Sequence, residues 1–252
     1  REIIKIRKTN DYGIAIFAYI REKTLIELLK NLKKNKINKI YFFIDVPKAS
    51  APKKIKLKNF RVIKIIKDID WCKKKIIIRE KNYGLKKNWI SGFNFILKKY
   101  EKIIAIEDDC IPNKNFIDFM LCNLYFYNKN KNVKSICGYL PNLNIKENSK
   151  SILVDHRAGS WGQATWRREW SQFKINKMFY LKKLKQDKIF YRRVIASGKD
   201  LIEMAYADFK GNIDSVGVWW CLYIIYNKGL TIHPSKTYIV NKGMDDYATH
   251  SN

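Results

Sequence analysis

Short, strongly apolar runs alternate with segments of helical periodicity through the first 140 residues, and this alternation constrains the fold more than any other feature. Residues 12–19 read YGIAIFAY, a run suited to a strand buried on both faces. After it Leu25, Ile26, Leu28, Leu29 and Leu32 recur at helical spacing, with Thr24 as the expected N-cap. Residues 39–46 predict a second strand that ends on Asp45 and is stopped by Pro47, and residues 75–79 predict a third. Residues 85–99 predict a helix with Trp89, Ile90, Phe93, Ile96 and Leu97 on one face. A fourth strand is expected over 101–106, running straight into Glu107, Asp108 and Asp109. Residues 116–127 read as a helix and 133–139 as a further strand. The pattern implies an α/β fold with a parallel, doubly wound sheet, in which ligands bind at the carboxyl ends of strands.

Residues 142–150 are polar and read as a loop. From Trp161 the pattern changes to tryptophan- and arginine-rich turns, then a basic helical stretch over 179–197 and an aromatic one over 214–226. This second part is expected to pack on the same sheet, making residues 1–252 a single domain.

Hydrophobic residues make up 46% and charged residues 29%, which excludes collagen-like and wholly disordered chains. Lys and Arg total 51 against 23 Asp and Glu, a formal charge of +28 that raises nucleic acid as a partner. Yet Lys, Ile and Asn together supply 100 of the 252 residues, all with AT-rich codons, so the charge reads first as genome composition. The lysines are also spread over the first two-thirds of the chain instead of forming one stripe. Nucleic acid is therefore not expected, and an anionic membrane surface or a phosphate-bearing substrate fits the charge better. The five cysteines, widely spaced and without a C-x-x-C pair, suggest neither zinc nor a disulfide framework but small core residues in a reducing compartment. The longest apolar stretch, residues 216–226, falls short of the roughly 20 residues that span a bilayer. With no leader pattern, a cytoplasmic setting is expected, and the opening on Arg1 suggests that an upstream part has been removed.

Three consecutive carboxylates after a buried strand repel one another and are costly to desolvate. A cation offsets both penalties, and oxygen-only ligands in a partly hydrated site suit Mg²⁺ or Mn²⁺. A solvated acidic turn capping the next helix is the plain alternative.

The stretch IIAIEDDCIPNKNFIDFM resembles the metal-binding segment of GT-A nucleotide-sugar glycosyltransferases, especially a bacterial group labelled glycosyltransferase family 2 or hemolysin-activation-like. Other segments resemble that group in its own order. AIFAYIREKTLIELLKNL is similar to its first strand and helix, and FFIDVPK to its second strand. REKNYGLKKNWISGFN resembles its Asn-x-Gly-Leu segment, and RAGSWGQATWRREW its Trp-Gly-x-Ala-Thr-Trp-Arg signature. NKGMDDYATHS resembles its terminal Asn-x-Gly…Ala-Thr-His segment, so the likeness covers roughly residues 12–251.

The resemblance implies a GT-A type fold: a Rossmann-like, mostly parallel sheet flanked by helices, with a C-terminal acceptor-side lobe. Residues 1–140 would bind the nucleotide sugar and 141–252 the acceptor. It implies metal-dependent transfer from a nucleoside diphosphate sugar, foremost a UDP-sugar, to a cell-surface glycan or lipid-linked acceptor, with inversion and with Mn²⁺ or Mg²⁺ as cofactor. The enzyme would be cytoplasmic, peripheral on the inner face of the membrane. By position, Asp109 would ligate the ion and Asp108 would lie near the ribose or the metal's waters. Asp45 would touch the nucleoside, with Arg21, Asn82 and Gly84 in matching strand-end loops and Lys86 within reach of a phosphate. His250 would close over the donor as a further metal or diphosphate ligand, which suits Mn²⁺ better than Mg²⁺.

Asp214 matches the position of the general base that takes the acceptor's proton; a helix N-cap is its plain reading, and Asp208 and Glu203 are the alternatives. Trp161 and Trp166, interleaved with Gly159, Gly162, Arg167 and Arg168, resemble a sugar-facing wall in which an arginine holds a phosphate. Gln163 stands where the family has an aromatic residue, and His156 and His233 read as structural. Two other readings compete. A sugar-nucleotide pyrophosphorylase needs a Gly-rich basic loop after the first strand, where AYIREKTLIE stands instead. A non-catalytic basic module for nucleic acid or anionic lipid leaves the acidic triplet unexplained.

Overall fold

The apolar runs pair side by side, and the periodic segments between them return as helices. In the structure, a computed structural model that describes residues 2–141 and 152–243, the elements follow in the expected alternation. Helix α1 (Glu2–Lys8) leads to β1 (Tyr12–Ala18), α2 (Glu22–Lys34), β2 (Lys39–Ile44), α3 (Lys53–Lys67) and β3 (Lys73–Ile78). Then come α4 (Gly84–Lys99), β4 (Lys102–Glu107), β5 (Cys110–Pro112), α5 (Phe116–Phe126) and β6 (Val133–Cys137). The second part holds β7 (Ile152–Asp155), β8 (Gln163–Trp166), α6 (Arg167–Trp170), α7 (Lys177–Gln186) and α8 (Lys188–Ser197). It ends with α9 (Asp200–Lys210), α10 (Gly217–Tyr226), β9 (Leu230–Pro234) and β10 (Ile239–Asn241).

Among the described residues eight strands form one sheet, ordered β3-β2-β1-β4-β8-β6-β9-β7. The first four run parallel, β8 and β7 run against their neighbours, and β6 and β9 are parallel to each other. The sheet is therefore mostly parallel, as expected, with β8 and β7 as its antiparallel members. Side chains alternate between two cores. On one face Phe17 and Phe43 meet Trp89 and Phe93 of α4 and Trp220 of α10; on the other Ile16 and Phe42 meet Leu28 of α2, Val62 of α3 and Phe116 of α5. Phe17 stacks on Trp89 with ring centroids 5.0 Å apart, and burial of each such ring is worth about 2–3 kcal/mol.

Several boundaries depart from expectation. Helix α2 starts at Glu22 with Arg21 at the cap position, so Thr24 lies within the first turn. The basic stretch over 179–197 is two helices, because Asp187 caps α8 through the backbone N–H groups of Ile189 and Phe190. Of the cysteines, all free, Cys110, Cys137 and Cys221 are buried as expected, while Cys72 is half-buried and Cys122 exposed. Among the described residues no helix is long and apolar enough to cross a membrane. The polar segment 142–150 lies outside the described residues.

Candidate active site

The chain lays β2 and β3 on one side of β1 and then returns to lay β4 on the other, and at such a switch point the ligand crevice of an open α/β sheet lies beside the carboxyl ends of the two strands. The three acids sit there. Asp108 is drawn into the crevice by two bonds: its N–H donates to Phe17 O at 3.0 Å, and its Oδ2 accepts from Tyr19 N at 2.8 Å. Burial, followed by the charge of Asp109, pushes the Asp108 carboxyl up to about 7. Glu107 is raised as well, by burial and then by both neighbouring carboxylates. Arg21 answers part of this charge, with Nε 3.4 Å from Asp109 Oδ2.

The chain's late residues lie directly over the acids. Strand β10 pairs with β5 so that Asn241 faces Cys110, and the Lys242 N–H donates to Asp109 O at 2.8 Å. Arg21 Nη2 donates to Gly243 O at 2.9 Å. Gly243 is packed so tightly that a Cβ on it would lie 2.0 Å from Asp109 Oδ2. Sequence reading did not single out Asn241 or Gly243; their only signal was membership of the terminal Asn-x-Gly segment. His250, the other candidate ligand, lies outside the described residues. Among the described residues no three His, Cys, Asp or Glu side chains form a metal-holding group. Asp108 and Asp109 offer oxygen ligands alone, the donor type that a hard divalent ion takes.

Asp45 is placed at the end of β2, but its carboxylate is occupied. Oδ1 accepts from Val46 N (3.0 Å) and Tyr83 N (2.8 Å), and Oδ2 from Gly84 N (2.9 Å) and Asn82 Nδ2 (3.2 Å). These four bonds use the roughly four acceptor positions of a carboxylate. Burial raises its pKa, and the Tyr83, Val46 and Gly84 amides counteract that rise. Asp45 therefore builds the Asn82-Tyr83-Gly84 loop that forms the crevice wall. Gly84 meets this geometry with φ +72°, a region that favours glycine.

Beside this loop, against Gly84, Asp214 is held by Lys86. The Lys86 N–H, in the first turn of α4, donates to Asp214 Oδ2 at 3.0 Å, and Lys86 Nζ lies 3.2 Å from Oδ1. Asp214 thus caps α4 and not its own helix, and its side chain stays 43% exposed, the accessibility a proton acceptor needs. Lys86 is committed to carboxylates: Nζ also bonds Asp208 Oδ1 at 2.7 Å, so the phosphate role expected of it finds no support here. Asp208 is fully buried and accepts from Lys86, Lys177, Ser215 N and Trp219 Nε1. Burial opposes its charge, but Lys177 and Lys86 hold it below the usual carboxylate range. An acid so saturated cannot be the proton acceptor, and Glu203 is exposed on α9.

The tryptophan–arginine motif divides. Strand β8 runs antiparallel to β4, with Gln163 opposite Ala105 and Trp166 opposite Lys102. Trp161 and Gly162 therefore lie at the acidic end, whereas Trp166 and Arg167 lie at the other end of β4, roughly 17 Å of strand away. Trp166 is core, with Nε1 bonded to Leu124 O at 3.1 Å, and Arg167 pairs with Glu101 at 2.9 Å. Neither forms part of a sugar-facing wall. Arg168, which stacks over Trp166, shares that distant end. Gly162 (φ +64°) is needed for packing, since a Cβ would lie 2.6 Å from the Phe116 ring. Trp161 remains half-buried at the crevice and meets Tyr139 edge-on at 4.4 Å. Behind Tyr139, His233 bonds the carbonyls of Tyr139 (3.1 Å) and Arg157 (3.0 Å), the structural role expected of it.

No family model matches the chain, and no curated protein does. Solved structures do. The crystal structure of S. aureus TarS 1-349 in complex with UDP-GlcNAc is similar with a TM-score of 0.54 at 12% identity, over 96% of this chain and 61% of that one. The fold is of the GT-A type. The same protein in complex with UDP gives a TM-score of 0.50 at 13% identity, over 91% and 59% of the two chains. The chain thus spans about three-fifths of the length of these structures. In this GT-A type fold, the crevice with the acids, the Asp45 loop and Asp214 lies at the topological switch point.

Proposed function

We propose that the chain is a glycosyltransferase that takes a sugar from a nucleoside diphosphate donor, foremost a UDP-sugar, and transfers it with inversion to a glycan or lipid-linked acceptor. The observation that carries this reading is the acidic turn of Glu107, Asp108 and Asp109 at the switch point, partly compensated by Arg21 and covered by Gly243. Buried carboxylates whose pKa values are pushed upward are in want of positive charge. Asp109 would hold a divalent ion, Mn²⁺ or Mg²⁺, which when bound supplies charge to the departing diphosphate.

The chain's own residues account for the rest. The loop built by Asp45 with Asn82 and Gly84 forms the wall against which the nucleoside lies. Asp214, exposed and fixed by Lys86, accepts the proton of the attacking hydroxyl. Trp161 and Tyr139 offer aromatic faces to a sugar. The acceptor, in keeping with the basic charge, lies in a cell-surface polymer assembled at the cytoplasmic face of a membrane.

The test is donor hydrolysis across UDP-, GDP-, dTDP- and CMP-sugars with Mn²⁺, Mg²⁺ or EDTA, with Asp109→Ala and Asp214→Asn beside the wild type. Metal-dependent release of one nucleotide, abolished in D109A, is expected. In D214N, donor binding should persist while turnover falls at least 100-fold. Release unaffected by EDTA and by D109A would overturn the assignment.

A further inference from the structure

The lysines that are dispersed along the sequence are gathered by the topology. In the first half of the sheet each helix returns against the strands, so helix C-termini and strand N-termini meet at the end opposite the acids. Lys33 and Lys34 end α2, Lys64 and Lys67 end α3, and Lys98 and Lys99 end α4. Lys39 and Lys73 open β2 and β3 beside them. Attraction to helix C-termini explains the first group. It does not explain Lys39 and Lys73, which stand directly opposite each other in the β2–β3 ladder, where like charges destabilise the pairing.

These two lysines and Lys99 line an open groove of about 920 Å³ together with Trp71, Asn10 and Asn38. Asp70 is the one acid among its lining residues. Among the described residues no carboxylate lies within ion-pair distance of Lys39, Lys73 or Lys99. Lys39 and Lys99 instead lie over the Tyr41 and Tyr100 rings, at 5.0 and 5.6 Å from the centroids. Three cations against the one acid, Asp70, leave an excess of positive charge at the rim of a concave surface.

We infer that this groove binds an anionic glycan, a sugar chain carrying carboxylate or phosphate groups. The lysines meet the anionic groups, the half-buried Trp71 offers a ring to the apolar face of a sugar, and the exposed Asn10 and Asn38 amides meet hydroxyls. The concavity disfavours a flat bilayer. A nucleic acid strand is disfavoured because the groove holds no arginine and a single accessible tryptophan, not a series of stacking platforms. The inference goes beyond the proposed transfer reaction and does not depend on it, since the groove lies at the other end of the sheet.

The test is titration of the whole chain with a decameric oligogalacturonate and with a phosphomannan oligosaccharide, which separate the carboxylate from the phosphate source. Polyphosphate, neutral dextran, a dT10 oligonucleotide and phosphatidylglycerol vesicles serve as comparisons. At least one anionic glycan should bind, with affinity falling tenfold or more in K39E/K73E and in Trp71→Leu. The control K182E/K185E on α7 should change it less than twofold, and thermal melting should show all variants folded. Trp71 fluorescence should also respond to the glycan in the wild type, which keeps the test valid if W71L does not fold. The inference is overturned if neither glycan binds, or if the control pair weakens binding as much as K39E/K73E. It is equally overturned if polyphosphate binds as well as the glycan and W71L has no effect, or if dT10 or the vesicles bind more tightly than either glycan.

Discussion

His233 gives the sharpest quantitative prediction. Its two ring nitrogens face two carbonyl oxygens, those of Tyr139 at 3.1 Å and Arg157 at 3.0 Å. A neutral imidazole carries one N–H and satisfies one of them; only the imidazolium donates to both. Burial by itself would pull the pKa down, but the Cys137 sulfur and the two carbonyls outweigh it and push the group up to about 9. Against a reference of about 6.5, at 1.36 kcal/mol per unit, the protonated form contributes about 3 kcal/mol to folding. Because the folded pKa is raised, that contribution is complete below pH 6.5 and is lost as the pH climbs through 9. Roughly 1 kcal/mol should be left at pH 8. Urea unfolding of the wild type and His233→Gln from pH 6 to pH 10 measures it. The acidic turn also titrates in part of this range, but it is common to both proteins and cancels in the difference. The stability gap between them should narrow by about 3 kcal/mol from the acid to the alkaline end, leaving only the constant cost of the altered side chain. A gap that does not change with pH, or that widens, refutes the raised pKa of His233 and the imidazolium with it.

Asp45→Ala strands three backbone N–H groups and the Asn82 amide, and should cost roughly 3 kcal/mol in denaturant unfolding while weakening donor binding in calorimetry. Asp208→Asn leaves the half-buried Lys86 and Lys177 against a neutral group and should cost about 2 kcal/mol; transfer assays should show kcat falling more than KM rises, because the lysine that holds Asp214 loses its second carboxylate. Trp166→Phe removes the bond to Leu124 and some buried area, lowering stability by about 1–2 kcal/mol. Its turnover should match the wild type, and a large loss of kcat in a folded W166F would return this residue to the active site.

What the sequence revealed depended on whether a residue type has one environment or several. Buried strands such as β1 and β4 admit few alternatives to their apolar runs, and an acidic triplet following one of them has to lie at a sheet edge. Helix α3 escaped notice because lysines interrupt its stripe, leaving Asn59, Val62 and Ile66 as its buried positions. Strands β7, β8 and β10 are three or four residues long, too short for a period to show. The Trp-Gly-x-Ala-Thr-Trp-Arg segment was legible as a motif but not as a location, because nothing in it says that β8 carries its second half away from the acids. Asp45 and Lys86 were found at the right place with other partners than expected, since a carboxylate or an ammonium satisfied by the protein itself reads the same in sequence as one awaiting a ligand.

The pairing of β10 with β5 has a consequence for the order in which this protein comes into being. Asp109 and Asn241, in contact in the folded chain, are 132 residues apart in sequence. During synthesis the acids at the end of β4 leave the ribosome long before the strand that covers them, so the nascent chain can assemble the β1–β4 half of the sheet with the acids uncovered. Closure of so long a loop is among the later events of folding. The cover over the acids therefore arrives with β10, and a ribosome stalled before residue 239 carries a nearly complete eight-stranded sheet with its acids uncovered.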